Sequence, residues 1–368
     1  MNFLKKAAFS AFSFAFFLFL GELFLRWVAP LEQANHHKLF CEYDSLLGWS
    51  KVPGYSGRHQ TPEYETLETF NSKGLRSPEY PYEKDSSQYR VLVLGDSYAE
   101  GYTVGFDSVF TRVLERQLQQ KMAGRAPQVV NGGTGGYSTD QELLFYRSEG
   151  RRYDPDLVVL LFCINDVWFN SQDKYWRGAK PVFRLTGNGL KLENVPVPEP
   201  HPGVKAWLLE HSQIAKRLKI VKDKAMLARE GEKLPEDYRV YAKKYAPAMD
   251  SAWTVTEALI SQLDKEVEQD GGKLLVCFVP EQEMVDPQRW QAFKTTYGID
   301  DPEYDCFKPA VKLSDFCRRD SVEFMDPTAA FRKAFQQSGT QLFFPKDSHW
   351  NAEGHRVIGE ELARRIVD

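Results

Sequence analysis

From Tyr89 onward the chain alternates wholly apolar runs with amphipathic stretches. "YRVLVLG" (89–95), "QVVN" (128–131), "DLVVLLFC" (156–163) and "KLLVCFVP" (273–280) read as buried strands, with a shorter "VEFMD" near the C-terminus. Helical spacing predicts helices over 108–122, 138–152, 286–297 and 308–319, and from Asn351 to about Val367. Longer charged helices are expected over about 204–230 and 236–269. Strands built of Val and Leu on both faces, separated by helices, require a parallel sheet covered on both sides. The alternation breaks at "KPVFRLTGNGLKLENVPVP" (180–198), where two alternating segments flank Thr-Gly-Asn-Gly and predict a hairpin. Residues 29–88 carry many prolines and turn signals and no helical period, so they read as an extended lead-in. The expected organisation is a segment at 1–28, this lead-in, and an α/β domain over 89–368 with an insertion at about 167–235.

The first segment differs in kind. Behind Lys5 and Lys6, residues Ala7 to Leu25 form a largely apolar stretch whose clearest interruption is Glu22. At ~1.5 Å of rise per residue such a helix matches the thickness of a bilayer core. Arg26 and Trp27 suit the interface, and the leading lysines favour an N-terminus inside with the body outside. A cleaved secretory signal is the alternative, although no small-x-small site follows. Net charge is −4, from 51 acidic and 47 basic residues, and no basic run is long enough to follow a phosphate backbone, so nucleic acid is not an expected partner. Five scattered cysteines, none in a CxxC pair, argue against a disulfide framework and a thiolate metal site; a local Cys306–Cys317 disulfide stays open.

Chemistry concentrates where strands end. Gly95-Asp96-Ser97, "NGGTGGYS" (131–138), Cys163-Ile164-Asn165-Asp166 and "KDSHWNAEGH" (346–355) supply a serine, a glycine-rich turn, an asparagine and an Asp/His pair. A serine hydroxyl becomes a nucleophile only when a base takes its proton, and an imidazole serves only when its tautomer is held. On an extended segment Asp347 and His349 face the same side, so the carboxylate can reach Nδ1 and leave Nε2 for the serine. His36, His37, His59 and His201 fall in lead-in or loop regions, while Glu210 beside His211 and Glu353 before His355 would point elsewhere on a helix. Plainer roles suit several neighbours. Asp96 and Asp166 tie loops, Gly133 and Gly135 shape a turn, His355 anchors the last helix, and Cys163 packs as an inert thiol. Tyr98, Trp168, Phe169 and Trp176 either line an acyl or sugar pocket or form a satellite core. The charged helices after 204 read as a solvated cap beside the active site.

Taken in order, these blocks resemble the SGNH (GDSL-type) hydrolases. "VLGDSY" resembles the first block, "NGGTGGYST" the second, "INDV" the third and "DSHWNAEGH" the last. The resemblance implies a three-layer α/β/α, flavodoxin-like fold with a parallel central sheet, behind an N-terminal transmembrane helix. It implies Ser97 as nucleophile with Asp347 and His349 completing a triad, and an oxyanion hole from the Ser97 and Gly136 N–H groups and the Asn165 amide. Two departures stand out. Cys163 replaces the glycine usual in the third block, and Asp-x-His replaces the common Asp-x-x-His, a spacing similar to that of alginate O-acetyltransferase-like relatives. "FNSKGLRSPEY" (70–80) also resembles the region before the first block in membrane-anchored bacterial members. The implied activity is hydrolysis of O-acetyl or other acyl esters of an envelope or exported polysaccharide, without metal or organic cofactor. The implied setting is a single pass through the inner membrane with a periplasmic catalytic domain, beside envelope polysaccharide machinery. Acetyl transfer by the same triad, and an inactive glycan-binding scaffold, remain as alternatives.

Overall fold

A computed structural model describes residues 3–29, 40–200, 203–230, 233–299, 302–338 and 341–368. His36, His37 and His201 lie outside the described residues. The N-terminal segment forms helix α1 (Phe3–Trp27), long and apolar enough to cross a membrane, a property that secretory signal sequences share. The lead-in then folds into two antiparallel hairpins, β1 (Cys41–Asp44) with β2 (Gly48–Lys51) and β3 (Ser56–Gln60) with β4 (Glu65–Thr69).

Next come β5 (Gln88–Gly95), α2 (Ser97–Glu100), α3 (Phe110–Lys121), β6 (Ala126–Asn131), α4 (Thr139–Ser148), β7 (Leu157–Phe162) and α5 (Ile164–Phe169). Two small hairpins follow, β8 (Lys174–Tyr175) with β9 (Gly178–Ala179), and β10 (Val182–Thr186) with β11 (Gly189–Glu193); the second turns at the expected Gly-Asn. Helices α6 (Val204–His211) and α7 (Gln213–Glu230) replace the single predicted helix, because Ser212 adopts an extended backbone between them. The chain continues through α8 (Pro247–Gln269), β12 (Lys273–Phe278), α9 (Gln282–Val285), α10 (Pro287–Tyr297), α11 (Lys308–Asp320), β13 (Glu323–Met325), α12 (Thr328–Ser338) and α13 (Ala352–Val367). The helix expected from 236 begins only at Pro247, whose ring suits a first helical position; residues Asp237–Tyr241 form a separate 3₁₀ turn.

Strands β5, β6, β7, β12 and β13 form one parallel sheet in the order β13-β12-β7-β5-β6. Numbered along the sheet alone this is 2-1-3-4-5, the flavodoxin-like order. Successive residues point to opposite faces, which explains the unbroken apolar runs. Leu92, Leu94, Leu160 and Val276 pack with α4, α8 and α11, together with Trp49 and Leu75 of the lead-in. Val91, Val93, Leu161 and Leu275 pack with α3, α12 and α13. The result is a three-layer α/β/α body.

Two compact units emerge: α1 with residues 200–233, and residues 35–199 with 234–368. Of the two charged helices expected as a solvated cap beside the active site, the first, now α6 and α7, groups with α1, whereas the second, α8, buries one face in the core of the α/β unit. Within the α1 unit the Glu22 carboxylate accepts the Gln213 and Ile214 N–H groups at 2.8 and 3.1 Å and the Ser212 hydroxyl at 2.9 Å, capping α7. The one acid in the apolar run is thereby accounted for.

Candidate active site

Ligands bind in such sheets at the carboxyl ends of the strands, where the winding direction reverses. Here that point lies between β5 and β7, and Ser97 and Asn165 follow those two strands. Gly95 ends β5 at φ 154°, and a Cβ there would lie 2.8 Å from Ala99 Cβ and 3.1 Å from Leu161 Cβ, so the sharp strand-to-helix turn requires glycine. Asp96 then caps α2, accepting the Tyr98 N–H at 2.9 Å, and leaves Ser97 at the first helical position, where backbone N–H groups have no partner within the helix.

Ser97 Oγ lies 2.7 Å from His349 Nε2, and His349 Nδ1 lies 2.6 Å from Asp347 Oδ1. The side chains of Asp347 and His349 are 20 % and 22 % exposed, enough for a substrate to reach them. The Asp–His contact is not made along an extended segment as expected. Ser348 takes a left-handed φ of 71°, and an antiparallel bridge between Phe343 and Trp350 closes the loop that carries it. Gln282 Nε2 donates to Ser348 Oγ at 2.7 Å, steadying a conformation that costs a non-glycine residue energy.

Burial alone would lower the His349 pKa, but the hydrogen bond and charge of Asp347 outweigh it and raise the value above 6.5. Burial alone would raise that of Asp347; the His349 bond and charge, then the Tyr64 hydroxyl, bring it down to about 2. The carboxylate is therefore ionised and orients the imidazole through any physiological pH.

Gly136 and Asn165 line the same pocket of about 310 Å³ as these three residues. Gly136 sits at φ 78° with Trp176 packed where a side chain would stand, so only glycine keeps its backbone at the pocket surface. Asn165 Nδ2 donates one hydrogen to Asp96 Oδ2 at 3.2 Å, leaving the other for the pocket. Ser97, Gly136, Asn165, Asp347 and His349 are thus brought together.

The plainer readings can be placed too. Asp166 accepts the Cys163 N–H at 3.3 Å. Cys163 is buried, its Sγ 3.3 Å from Glu281 Oε1; burial, then the charge of Asp96, pushes the thiol well up, which disfavours the thiolate. His355 stacks on Phe110, and burial lowers its pKa to about 3, so it is neutral packing. His59 is buried in β3, 3.1 Å from Glu68. Cys306 and Cys317 are separate buried thiols. Of the four aromatic candidates, Tyr98 and Trp176 line the pocket, whereas Phe169 stacks on Tyr175 and Trp168 packs against the core.

Sequence reasoning missed a second set of residues. The Tyr64 hydroxyl donates to Asp347 Oδ2 at 2.9 Å, and the Glu63 carboxylate accepts the Lys346 and Asp347 N–H groups at 2.9 and 2.8 Å. The Tyr98 ring lies 4.6 Å from the His349 ring, with its hydroxyl 3.1 Å from Glu281 Oε2 and 3.2 Å from the Ser348 carbonyl. Burial, then the neighbouring Glu283, pushes Glu281 up to about 8. The Tyr98 hydroxyl can donate to either acceptor, which ties α2 to the segment after β12 and to the loop that carries His349. Tyr98 is a pocket candidate from sequence, without these contacts, whereas Glu63, Tyr64 and Glu281 carry no local signal: a tyrosine beside a glutamate in a turn-rich segment shows nothing of a partner 283 positions away.

The arrangement supplies a nucleophile, a base held in one tautomer and donors at a common pocket, the requirements of acyl transfer. Among curated proteins none matches the sequence significantly. Similar solved structures include a catalytic mutant of an acetylxylan esterase from Geobacillus stearothermophilus, 14 % identical, covering 77 % of this chain and 96 % of that one with a TM-score of 0.41. Others are an alpha/beta hydrolase from the metagenome of Lake Arreo, Spain (15 %, 78 % and 99 %, 0.40), and the acetyl xylan esterase AlAXEase (11 %, 75 % and 99 %, 0.39). A family model of the SGNH hydrolase-like domain of the acetyltransferase AlgX matches residues 240–368. The model of the GDSL-like lipase/acylhydrolase family matches residues 93–293, more than half of the chain, and the protein belongs to that family of enzymes acting on ester bonds.

Proposed function

We propose that the protein is a serine esterase that removes O-acetyl or other small acyl groups from a carbohydrate, held at a membrane surface by α1 with its α/β body on the outer side. The observation that carries this reading is the continuous chain Ser97–His349–Asp347, with contacts of 2.7 and 2.6 Å, opening into a pocket.

Ser97 Oγ forms a bond to the ester carbonyl carbon while its proton passes to His349 Nε2, and Asp347 stabilises the imidazolium. The carbonyl oxygen takes the negative charge, which the Ser97 and Gly136 N–H groups and the Asn165 amide receive. Collapse breaks the bond to the sugar oxygen, which leaves with the proton from His349. Water then attacks the acyl-enzyme with His349 again as base, releasing the carboxylic acid and restoring Ser97. Acetyl transfer is the second reading, favoured by the match of residues 240–368, Asp347 and His349 among them, to the AlgX acetyltransferase domain. In it a sugar hydroxyl replaces water.

Hydrolysis of p-nitrophenyl acetate tests the common chemistry. Ser97→Ala and His349→Ala should each reduce kcat/KM by about 10³-fold or more. Wild-type turnover equal to that of Ser97→Ala would refute the reading. Mass analysis of acetylated and unacetylated glycans, each incubated in turn, separates loss of acetyl from gain. Retention of the body by washed membranes, lost on deletion of residues 1–28, tests the anchor.

A further inference from the structure

Beyond the reacting atoms, the pocket is walled by side chains that the chemistry does not use: Tyr175 and Trp176 from the β8–β9 hairpin, Asp237 and Tyr238 from the 3₁₀ turn before α8, and Glu281 after β12. Four carboxyl groups line it, those of Asp96, Asp237, Glu281 and Asp347, and among the described residues no lysine or arginine does. Its one basic group, His349, must be neutral to accept a proton. Arg177, next to Trp176, instead donates to the Cys41 carbonyl.

An anionic substrate entering here would shed hydration without meeting a countercharge, and would face carboxylates at short range. An uncharged sugar meets the opposite conditions. The half-buried faces of Trp176 and Tyr238 suit the C–H faces of a pyranose ring, much as aromatic rings suit other apolar surfaces. Asp96 and Asp347 are committed to Asn165 and Tyr64. Asp237 takes peptide N–H groups of its own turn and keeps acceptor capacity for hydroxyls.

We infer that the site selects uncharged, hydroxylated acyl-sugars and rejects uronates and other anionic acyl esters, with Asp237 setting the charge preference and Trp176 and Tyr238 holding the ring. This inference rests on the esterase reading above and narrows its substrate class.

The test compares three esters on the full-length protein: p-nitrophenyl acetate, a mono-O-acetylated methyl glucopyranoside, and the corresponding acetylated methyl glucuronopyranoside, with acetate release as the readout. The expected kcat/KM for the neutral glycoside exceeds that for the uronate by about tenfold or more, a difference within reach of one unpaired charge. Asp237→Asn should reduce that ratio by about threefold or more. Because the ratio is taken within one variant, partial misfolding cancels. Equal rates on the two glycosides, a preference for the uronate, or a ratio unchanged in Asp237→Asn would each overturn the inference. Turnover of p-nitrophenyl acetate with neither glycoside cleaved would overturn it while leaving the esterase reading intact, whereas no turnover of any ester would remove both.

Discussion

The carboxyl edge of the sheet and the hairpin segment over residues 40–87 meet at the same site but reach it by different physics. At the sheet edge, short blocks bring the atoms proposed to react, and the proposed chemistry constrains the residue types of each block. The hairpin segment supplies no reacting atom and acts through buried polar contacts. Lys51 Nζ lies 2.6 Å from Glu100 Oε1, and Glu100 Oε2 accepts the Gly135 N–H at 2.6 Å, linking β2, α2 and the glycine-rich turn. Arg76 donates to the Gly101 carbonyl and to that of Val104 at 2.6 Å, while Glu63 and Tyr64 hold the Asp347 loop. The residues that read as an extended lead-in therefore hold together two loops that lie far apart in sequence. A reaction site needs both kinds of residue, and only the first leaves a motif.

The largest expected effect falls on the motif side: Asp347→Asn should lower kcat by about 10³- to 10⁴-fold through loss of the correct imidazole tautomer, with the thermal midpoint little changed. On the hairpin side the cost should appear first as stability. Glu100→Ala leaves the buried Lys51 ammonium unpaired, and chemical denaturation should show a loss of about 3–5 kcal/mol. If that variant is as stable as wild type, the hairpins are an appendage after all.

Tyr64→Phe isolates positioning from folding. It removes a hydrogen bond to an ionised carboxylate, expected to cost about tenfold in kcat/KM. The pH profile sharpens the distinction. Neutral His349 is the active base, and its pKa is raised in the fold, so the rate should climb with pH through a value above 6.5. Losing the Tyr64 donor concentrates charge on Asp347, stabilises the imidazolium further and should move that acid limb upward; a merely structural role would leave it in place. The smallest effect is expected inside the last motif itself. His355→Phe should change turnover of p-nitrophenyl acetate by less than about threefold, since that ring is neutral and packed against Phe110.

Read by itself, the sequence located the β5, β7 and β12 strands, because a strand buried on both faces must be apolar at every position. It also singled out Ser97, Gly136, Asn165 and His349 from short blocks at strand ends, and these residues line one pocket. Helix boundaries were less legible: the break at Ser212 and the late start at Pro247 depend on single backbone conformations within strongly charged stretches. The left-handed bend at Ser348 was not legible, since serine has no preference for it and neighbours from distant segments impose it. The pocket walls from Tyr175, Trp176, Asp237 and Tyr238 were likewise set by packing between elements. Periodicity thus determined the sheet and its layers, because burial on both faces dictates apolar strands, and short motif blocks singled out the candidate reacting groups. Tertiary structure alone decided their separations, their ionisation and the company they keep, because those depend on contacts between residues that the chain holds far apart.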